Sequence, residues 1–279
     1  MTSTTARAAF SKEQVRELRE RIYDVGVVGL QGAFDVSWVD ALDADVKRLF
    51  REARGRRDGA VGRGPNRYYV EIHPEQLRGF VELATHPWIT AVCEAVLGAD
   101  YRIVELGFDV PLPGAIGQPW HRDFPMPAVT RDEGRLDSLA VNVTTVDTEP
   151  DMGPFEIAPG THFDLGEDFE HEMFPPNSAY PRYQERAERK YPQRGDISIR
   201  SALTIHHGTA NTSAKARPVL VLGVDSADGR NAERHDMAVT GHYWEQLPQQ
   251  LRAHLSCPVV DTLTPITQKH TIEGLVMGE

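Results

Sequence analysis

Two short stretches of this 279-residue chain hold the side chains best suited to chemistry. "QPWHRDFPMP", residues 118–127, sets His121 and Asp123 two positions apart. "ALTIHHGTANTSAKARPVL", residues 202–220, carries the adjacent pair His206 and His207 ahead of Arg217. A carboxylate and two imidazoles form the donor set of a non-haem Fe(II) centre, because three ligands on one face leave the opposite positions open for oxygen. Residues i and i+2 of a strand share a face, so an H-x-D pair on a strand offers both of its donors to one ion. The second imidazole must then arrive from a distant strand, and the β-rich run "DISIRSALTIHH" ends on one.

The elements that position these residues are legible in outline. "SKEQVRELRERIYDVGVVGL" opens with Ser11 and, three places later, Gln14, a capping-box pair ahead of Val15, Leu18 and Ile22 at helical spacing. A helix is expected there, followed by a strand over residues 25–30. A second helix is marked by Trp38, Leu42, Val46, Leu49 and Phe50 and stops at Gly55. Residues 55–67, "GRRDGAVGRGPNR", lack periodicity and read as a mobile loop. A further helix pair is expected across "PEQLRGFVELATHPWITAVCEAVLG".

From about residue 101 the text turns to short β-rich runs broken by Pro and Gly, such as "YRIVELGFDVPLPG", "LDSLAVNVTTVD" and "RPVLVLGVD". Such runs without intervening helical patterns predict a mainly β fold with flanking helices, a jelly roll of the double-stranded β-helix kind. One domain is expected over 1–279: a helical part at about 10–100, a core at about 101–225 and a C-terminal extension over 226–279. Residues 165–194 form an acidic, then Pro-, Tyr- and Arg-rich insertion of the length and composition of a lid or binding loop.

A net charge of −11 argues against nucleic acid or an anionic membrane as partner and favours a small molecule. Cys93 and Cys257 stand far apart, in no zinc-type or disulfide-framework spacing, and a cytoplasmic, soluble protein is expected.

In order along the chain, "SKEQVRELRERIYDVGVVGL", "QPWHRD", "MGPFEIAPGTH", "RGD" and "HHGTANTSAKAR" resemble the phytanoyl-CoA dioxygenase family of Fe(II)- and 2-oxoglutarate-dependent oxygenases. The resemblance covers most of residues 10–224 and implies Fe(II), 2-oxoglutarate and O2 as the reacting set, with 2-oxoglutarate converted to succinate and CO2. Carried over by position, it makes His121 and Asp123 the first two iron ligands. The third lies eleven residues after Gly195 and five before Asn211, which selects His206 over His207. Arg217, eleven residues beyond His206, matches the arginine that holds the distal carboxylate of 2-oxoglutarate, a task suited to a planar, forked cation. Asn142, Thr209 and Gln118 are further candidates for cosubstrate binding. Where the family often has a serine near that carboxylate, this chain has Gly208, and Thr209 is the candidate replacement.

Trp120, Arg122 and Phe124, which flank the ligands, and Tyr180 in the insertion are the candidate substrate contacts, although Trp120, Arg122 and Phe124 are expected on the strand face opposite the ligands. A carboxylate at position 123 favours hydroxylation or a related oxidation of a small metabolite or natural-product intermediate over halogenation. Two other classes fit parts of the pattern: an iron oxygenase independent of 2-oxoglutarate, and a non-catalytic jelly-roll binding protein.

Overall fold

The computed structural model describes residues 10–269. The chain opens with α1 (Lys12–Val25), whose cap is closed from both sides: the Ser11 hydroxyl accepts from Gln14 N, and the Gln14 side chain accepts from Ser11 N. It ends at Gly26 with φ +87°, where a Cβ would stand 2.4 Å from Thr204 Oγ1, so glycine is required by both conformation and packing. Then come β1 (Val27–Leu30), α2 (Val36–Arg54), β2 (Val61–Gly62), β3 (Arg67–Glu71), α3 (Phe80–Ala84), α4 (Pro87–Leu97) and β4 (Arg102–Pro111). They are followed by α5 (Ala128–Glu133), β5 (Ser138–Thr144), β6 (Phe155–Ile157), α6 (Tyr180–Arg186), β7 (Glu188–Lys190) and β8 (Ile197–Ser201). Last are β9 (His206–Gly208), β10 (Val219–Asp225), β11 (Val239–Thr240), α7 (Gly241–Gln246), α8 (Gln249–His254) and β12 (Val259–Val260).

A seven-stranded sheet runs β1-β8-β5-β10-β4-β3-β2, and a three-stranded sheet runs β7-β6-β9. Every neighbouring pair in the two is antiparallel. This is the jelly roll expected from the sequence. Its two faces follow from side-chain alternation. Leu139, Val141 and Val143 of β5, Ile197 and Ile199 of β8, and Leu220, Leu222 and Val224 of β10 join Leu42, Val46 and Leu49 of α2 and Ile89 and Val92 of α4 in one core. Each such side chain contributes about 1.5–3 kcal/mol by leaving water. The intervening residues face the other way: Arg67, Tyr69 and Glu71 on β3, Asp109 on β4, Asn142 on β5 and Arg200 on β8. The helices therefore cover one face of the large sheet and leave a polar inner face for the site.

One expectation needs correction. The stretch 55–67 is not a loop throughout, since Val61 and Gly62 pair with Tyr69 and Tyr68 as β2, and Arg67 begins β3. The apolar residues there are too few to show a strand period. In the C-terminal extension after 225, β11 pairs with β12 in parallel, and Gln268 clasps the backbone of Glu71 through both its amide oxygen and its nitrogen. Among the described residues, no helix is long and apolar enough to cross a membrane.

Candidate active site

His121, Asp123 and His206 converge. One donor atom from each lies within 4.8 Å of the other two, the spacing of a shared metal ion. The two histidines are held opposite each other by an antiparallel bridge in which each backbone N–H donates to the other's carbonyl at 2.9 Å. The segment carrying His121 is otherwise irregular, so this bridge, and not a regular strand as expected, aims the H-x-D pair. His121 Nδ1 donates to the Pro119 carbonyl at 2.8 Å, and His206 Nδ1 to the Thr204 carbonyl at 2.8 Å. Both tautomers are thereby fixed with a bare Nε2 lone pair, the form a metal requires.

Burial pushes the His121 pKa down to about 4, with Arg200 and Arg63 acting in the same direction. Burial also carries His206 well below the usual histidine range, helped by Arg200 and His121. Both rings are therefore neutral at physiological pH. For Asp123, enclosure favours the neutral acid, but Arg200 and His206 overcome it and hold the carboxyl below its ordinary range. Arg200 reaches Asp123 with a forked contact, Nη1 to Oδ2 at 2.7 Å and Nη2 to Oδ1 at 3.3 Å. Two neutral imidazoles and one carboxylate form the facial donor set described above, so the residues fit ferrous iron.

Arg217 is buried at 4% exposure. The one hydrogen bond of its side chain among the described residues runs from Nε to the Met152 carbonyl at 3.2 Å, which leaves the two Nη nitrogens for another acceptor. Burial, then the neighbouring Arg67, pull its pKa down to about 10, with Asp109 opposing, so the group stays cationic. Two guanidiniums near one carboxylate are short of anionic charge, and a dicarboxylate fits that deficit.

The expected role of Thr209 as hydroxyl donor is not what the structure displays: its Oγ1 donates to the Pro154 carbonyl at 2.8 Å. The space beside Gly208 is taken instead by Arg67, since a Cβ at 208 would lie 2.6 Å from Nη1 and 2.7 Å from Nη2. Arg67 Nη1 pairs with Asp109 at 2.9 Å, and Nη2 donates to the Thr209 carbonyl at 3.3 Å. Gln118 serves the backbone, its side-chain oxygen accepting from Gly208 N at 3.0 Å. Asn142 lies on the inner face of β5, opposite Val221 of β10. His207 turns away from the triad and pairs with Glu156 at 2.7 Å.

A cavity of about 400 Å³ opens from His121 and Asp123 toward Tyr69, Glu71, Glu105 and His235. His235 sits between two carboxylates, 3.7 Å from Glu71 and 3.8 Å from Glu105, and Tyr69 donates its hydroxyl to Glu105. Of the candidate substrate contacts, Arg122 and Phe124 line this cavity, Phe124 beside Met173. Trp120 is buried against Tyr183 and His207, with Tyr180 packed on the same cluster, outside the cavity lining. Arg122 spends its guanidinium on the carbonyls of Asp164, Leu165 and Glu172 at 2.8–3.2 Å and so ties the insertion to the segment between two candidate ligands.

Sequence reasoning missed Arg67, Asp109 and Arg200. The signal for Arg200 was present: in "DISIRS" the isoleucines define one face, and the arginine must occupy the other.

Among solved structures, the epimerase SnoN, in complex with Fe3+, alpha ketoglutarate and nogalamycin RO, aligns at TM-score 0.64 and 22% identity over 78% of this chain and 85% of its own. The non-heme alpha ketoglutarate dependent carbocyclase SnoK from nogalamycin biosynthesis aligns at TM-score 0.61 and 23% identity, over 78% and 85%. HygX from Streptomyces hygroscopicus, with nickel and 2-oxoglutarate bound, gives TM-score 0.57 and 15% identity over 79% and 89%. At these identities the likeness is one of fold. The sequence itself matches the family described as Phytanoyl-CoA dioxygenase (PhyH) over residues 7–219, some three quarters of its length, and the chain belongs to that family.

Proposed function

We propose that this chain is an Fe(II)- and 2-oxoglutarate-dependent oxygenase that oxidises a C–H bond of a polar small molecule, a metabolite or natural-product intermediate. The observation that carries this reading is the convergence of one donor atom each from His121, Asp123 and His206 within 4.8 Å, with the Nδ1 of both imidazoles held by backbone carbonyls. In this assignment His121, Asp123 and His206 hold the iron, and Arg217 receives the distal carboxylate of 2-oxoglutarate with Arg67 beside it. Asn142, on the same inner face, is a further contact. When bound, iron, 2-oxoglutarate and O2 supply the oxidising power and release succinate and CO2.

The protein's own part is to orient and to exclude water. Phe124, Met173 and Phe174 form the apolar wall near the triad. Phe174 lies with its ring 5.9 Å from that of His121. The insertion, clamped by Arg122, backs that wall. Elsewhere in the lining, Glu71, Glu105, Tyr69 and His235 form a mutually paired polar cluster, a surface that a long acyl chain would desolvate without returning any hydrogen bond. A polar substrate suits it better.

The test is anaerobic addition of Fe(II) and 2-oxoglutarate, which should raise the visible charge-transfer band of a chelated keto acid, followed by succinate release across a panel of polar metabolites. Protein that stays colourless under these conditions removes the cosubstrate from the reading and favours an oxygenase without 2-oxoglutarate or a binding protein. SnoN is an epimerase and SnoK a carbocyclase. Product analysis therefore accompanies the succinate assay, to separate oxygen insertion from rearrangement.

A further inference from the structure

Asp123 lies in a bend with no strand neighbour to fix its side chain. Among the described residues its carboxylate takes hydrogen bonds from one group, the Arg200 guanidinium, and the two oxygens are treated unequally. Oδ2 receives Nη1 at 2.7 Å; Oδ1 receives Nη2 at only 3.3 Å and lies 3.5 Å from His206 Nε2. One oxygen thus faces the arginine and the other faces the imidazoles. Arg200 is in turn held from below. Its side chain is 8% exposed, and its guanidinium stands over the Phe155 ring at 5.6 Å. Its Nε is buried without a partner. Leaving a buried N–H unpaired is destabilising. A buried ion pair is also rarely more stabilising than a well-packed apolar pair. Stability alone gives no reason for an arginine here.

We infer that Arg200 is a positioning residue that restricts Asp123 to binding the metal through one oxygen, so that a coordination position stays open for O2. The inference rests on the iron and 2-oxoglutarate reading above. A facial donor set would leave open positions on the iron, two of which a chelating keto acid would take. A carboxylate binding through one oxygen would leave a further position free, whereas one chelating with both oxygens would fill it. By occupying Oδ2, Arg200 prevents that swing.

Nitric oxide, which binds the position O2 takes, reads this directly. Metal-free wild type, Arg200→Met and Arg200→Gln are loaded anaerobically with Fe(II) and 2-oxoglutarate and titrated with nitric oxide, and the nitrosyl signal is followed by electron paramagnetic resonance. Arg200→Met is expected to keep the visible band but to need about 10- to 100-fold more nitric oxide, the range typical of losing a group that orients a metal ligand. Arg200→Gln, with one amide donor, is expected to fall between. Titrations of both variants that superimpose on wild type overturn the inference. If thermal melting shows Arg200→Met unfolded, Arg200→Gln decides alone, and an unchanged titration again overturns it. Wild type that shows no keto-acid band defeats the cosubstrate reading instead. Co(II) absorption of wild type and variants without 2-oxoglutarate then tests Arg200 by itself: altered spectra are expected, and identical ones refute it.

Discussion

Gly208 and Arg67 share one volume, and a single methyl group tests what that means. In Gly208→Ala the new carbon would stand 2.6 Å from Arg67 Nη1 and 2.9 Å from Cζ, so the guanidinium has to retreat by about 0.8 Å to reach ordinary contact at 3.4 Å. Nothing cheap absorbs this movement, because Nη1 is tied to Asp109 at 2.9 Å and Nη2 to the Thr209 carbonyl. Overpacking of this kind costs about 1–3 kcal/mol. If about half of it falls on cosubstrate binding, the 2-oxoglutarate Kd rises by roughly 2- to 13-fold. The assay is an anaerobic titration of the ferrous protein with 2-oxoglutarate, followed by its visible band. It is run on wild type, Gly208→Ala, Arg67→Met and the double variant. Once Arg67 has been shortened the methyl has room, so Gly208→Ala should add less than about 0.5 kcal/mol in that background. Two costs that simply add, or a Gly208→Ala protein that binds 2-oxoglutarate like wild type, would refute the claim that Arg67 replaces a side chain at 208.

Arg217→Ala is expected to weaken 2-oxoglutarate by roughly 10- to 100-fold, the loss of a charge-assisted hydrogen bond worth about 1.5–3 kcal/mol, with Fe(II) affinity in a metal titration little changed. In metal-free protein, the His121 pKa of about 4 against an ordinary 6.5 means that the unfolded chain binds more protons between those values. Stability therefore falls as pH drops from 6.5 toward 4, by up to about 3 kcal/mol. Urea midpoints should show this slope in wild type and a shallower one in His121→Asn; equal slopes contradict it. Arg122→Met removes three bonds, two to the insertion (Leu165 and Glu172) and one to Asp164 at its edge. A glutamate-specific protease should then cut near Glu167, Glu170 or Glu172 about tenfold faster, an effect of local opening without global unfolding.

The triad could be read from residue types because its donors lie in two compact stretches whose spacing survives any detail of the fold between them. The jelly roll was legible for a related reason: β5, β8 and β10 are near-continuous β-rich runs whose alternation is strong. Arg67 escaped because β2 has two residues, too few to show a period, and the glycines and proline before β3 resemble a loop. Asp109 escaped because its role depends on Arg67 across the β3/β4 ladder, a pairing no local pattern announces. Trp120, Arg122 and Tyr180 looked like substrate contacts because they flank the ligands or sit in the insertion. In the folded chain Trp120 and Tyr180 pack in a side cluster outside the cavity lining, whereas Arg122 both lines the cavity and bonds the carbonyls of Asp164, Leu165 and Glu172, an arrangement that depends on tertiary structure.

The cavity is built from two kinds of wall. Its floor is the inner face of the large sheet, which also carries Arg67, Asn142 and Arg200, whereas its rim is irregular chain: Met173 and Phe174 on one side, His235, Asp236 and residues 267–269 on the other. Mutations that drift into the rim leave the ladder pairings beneath it untouched. In the proposed assignment, the rim would therefore set what the cavity admits, while Arg67, Asn142 and Arg200 would stay fixed on the sheet beneath it.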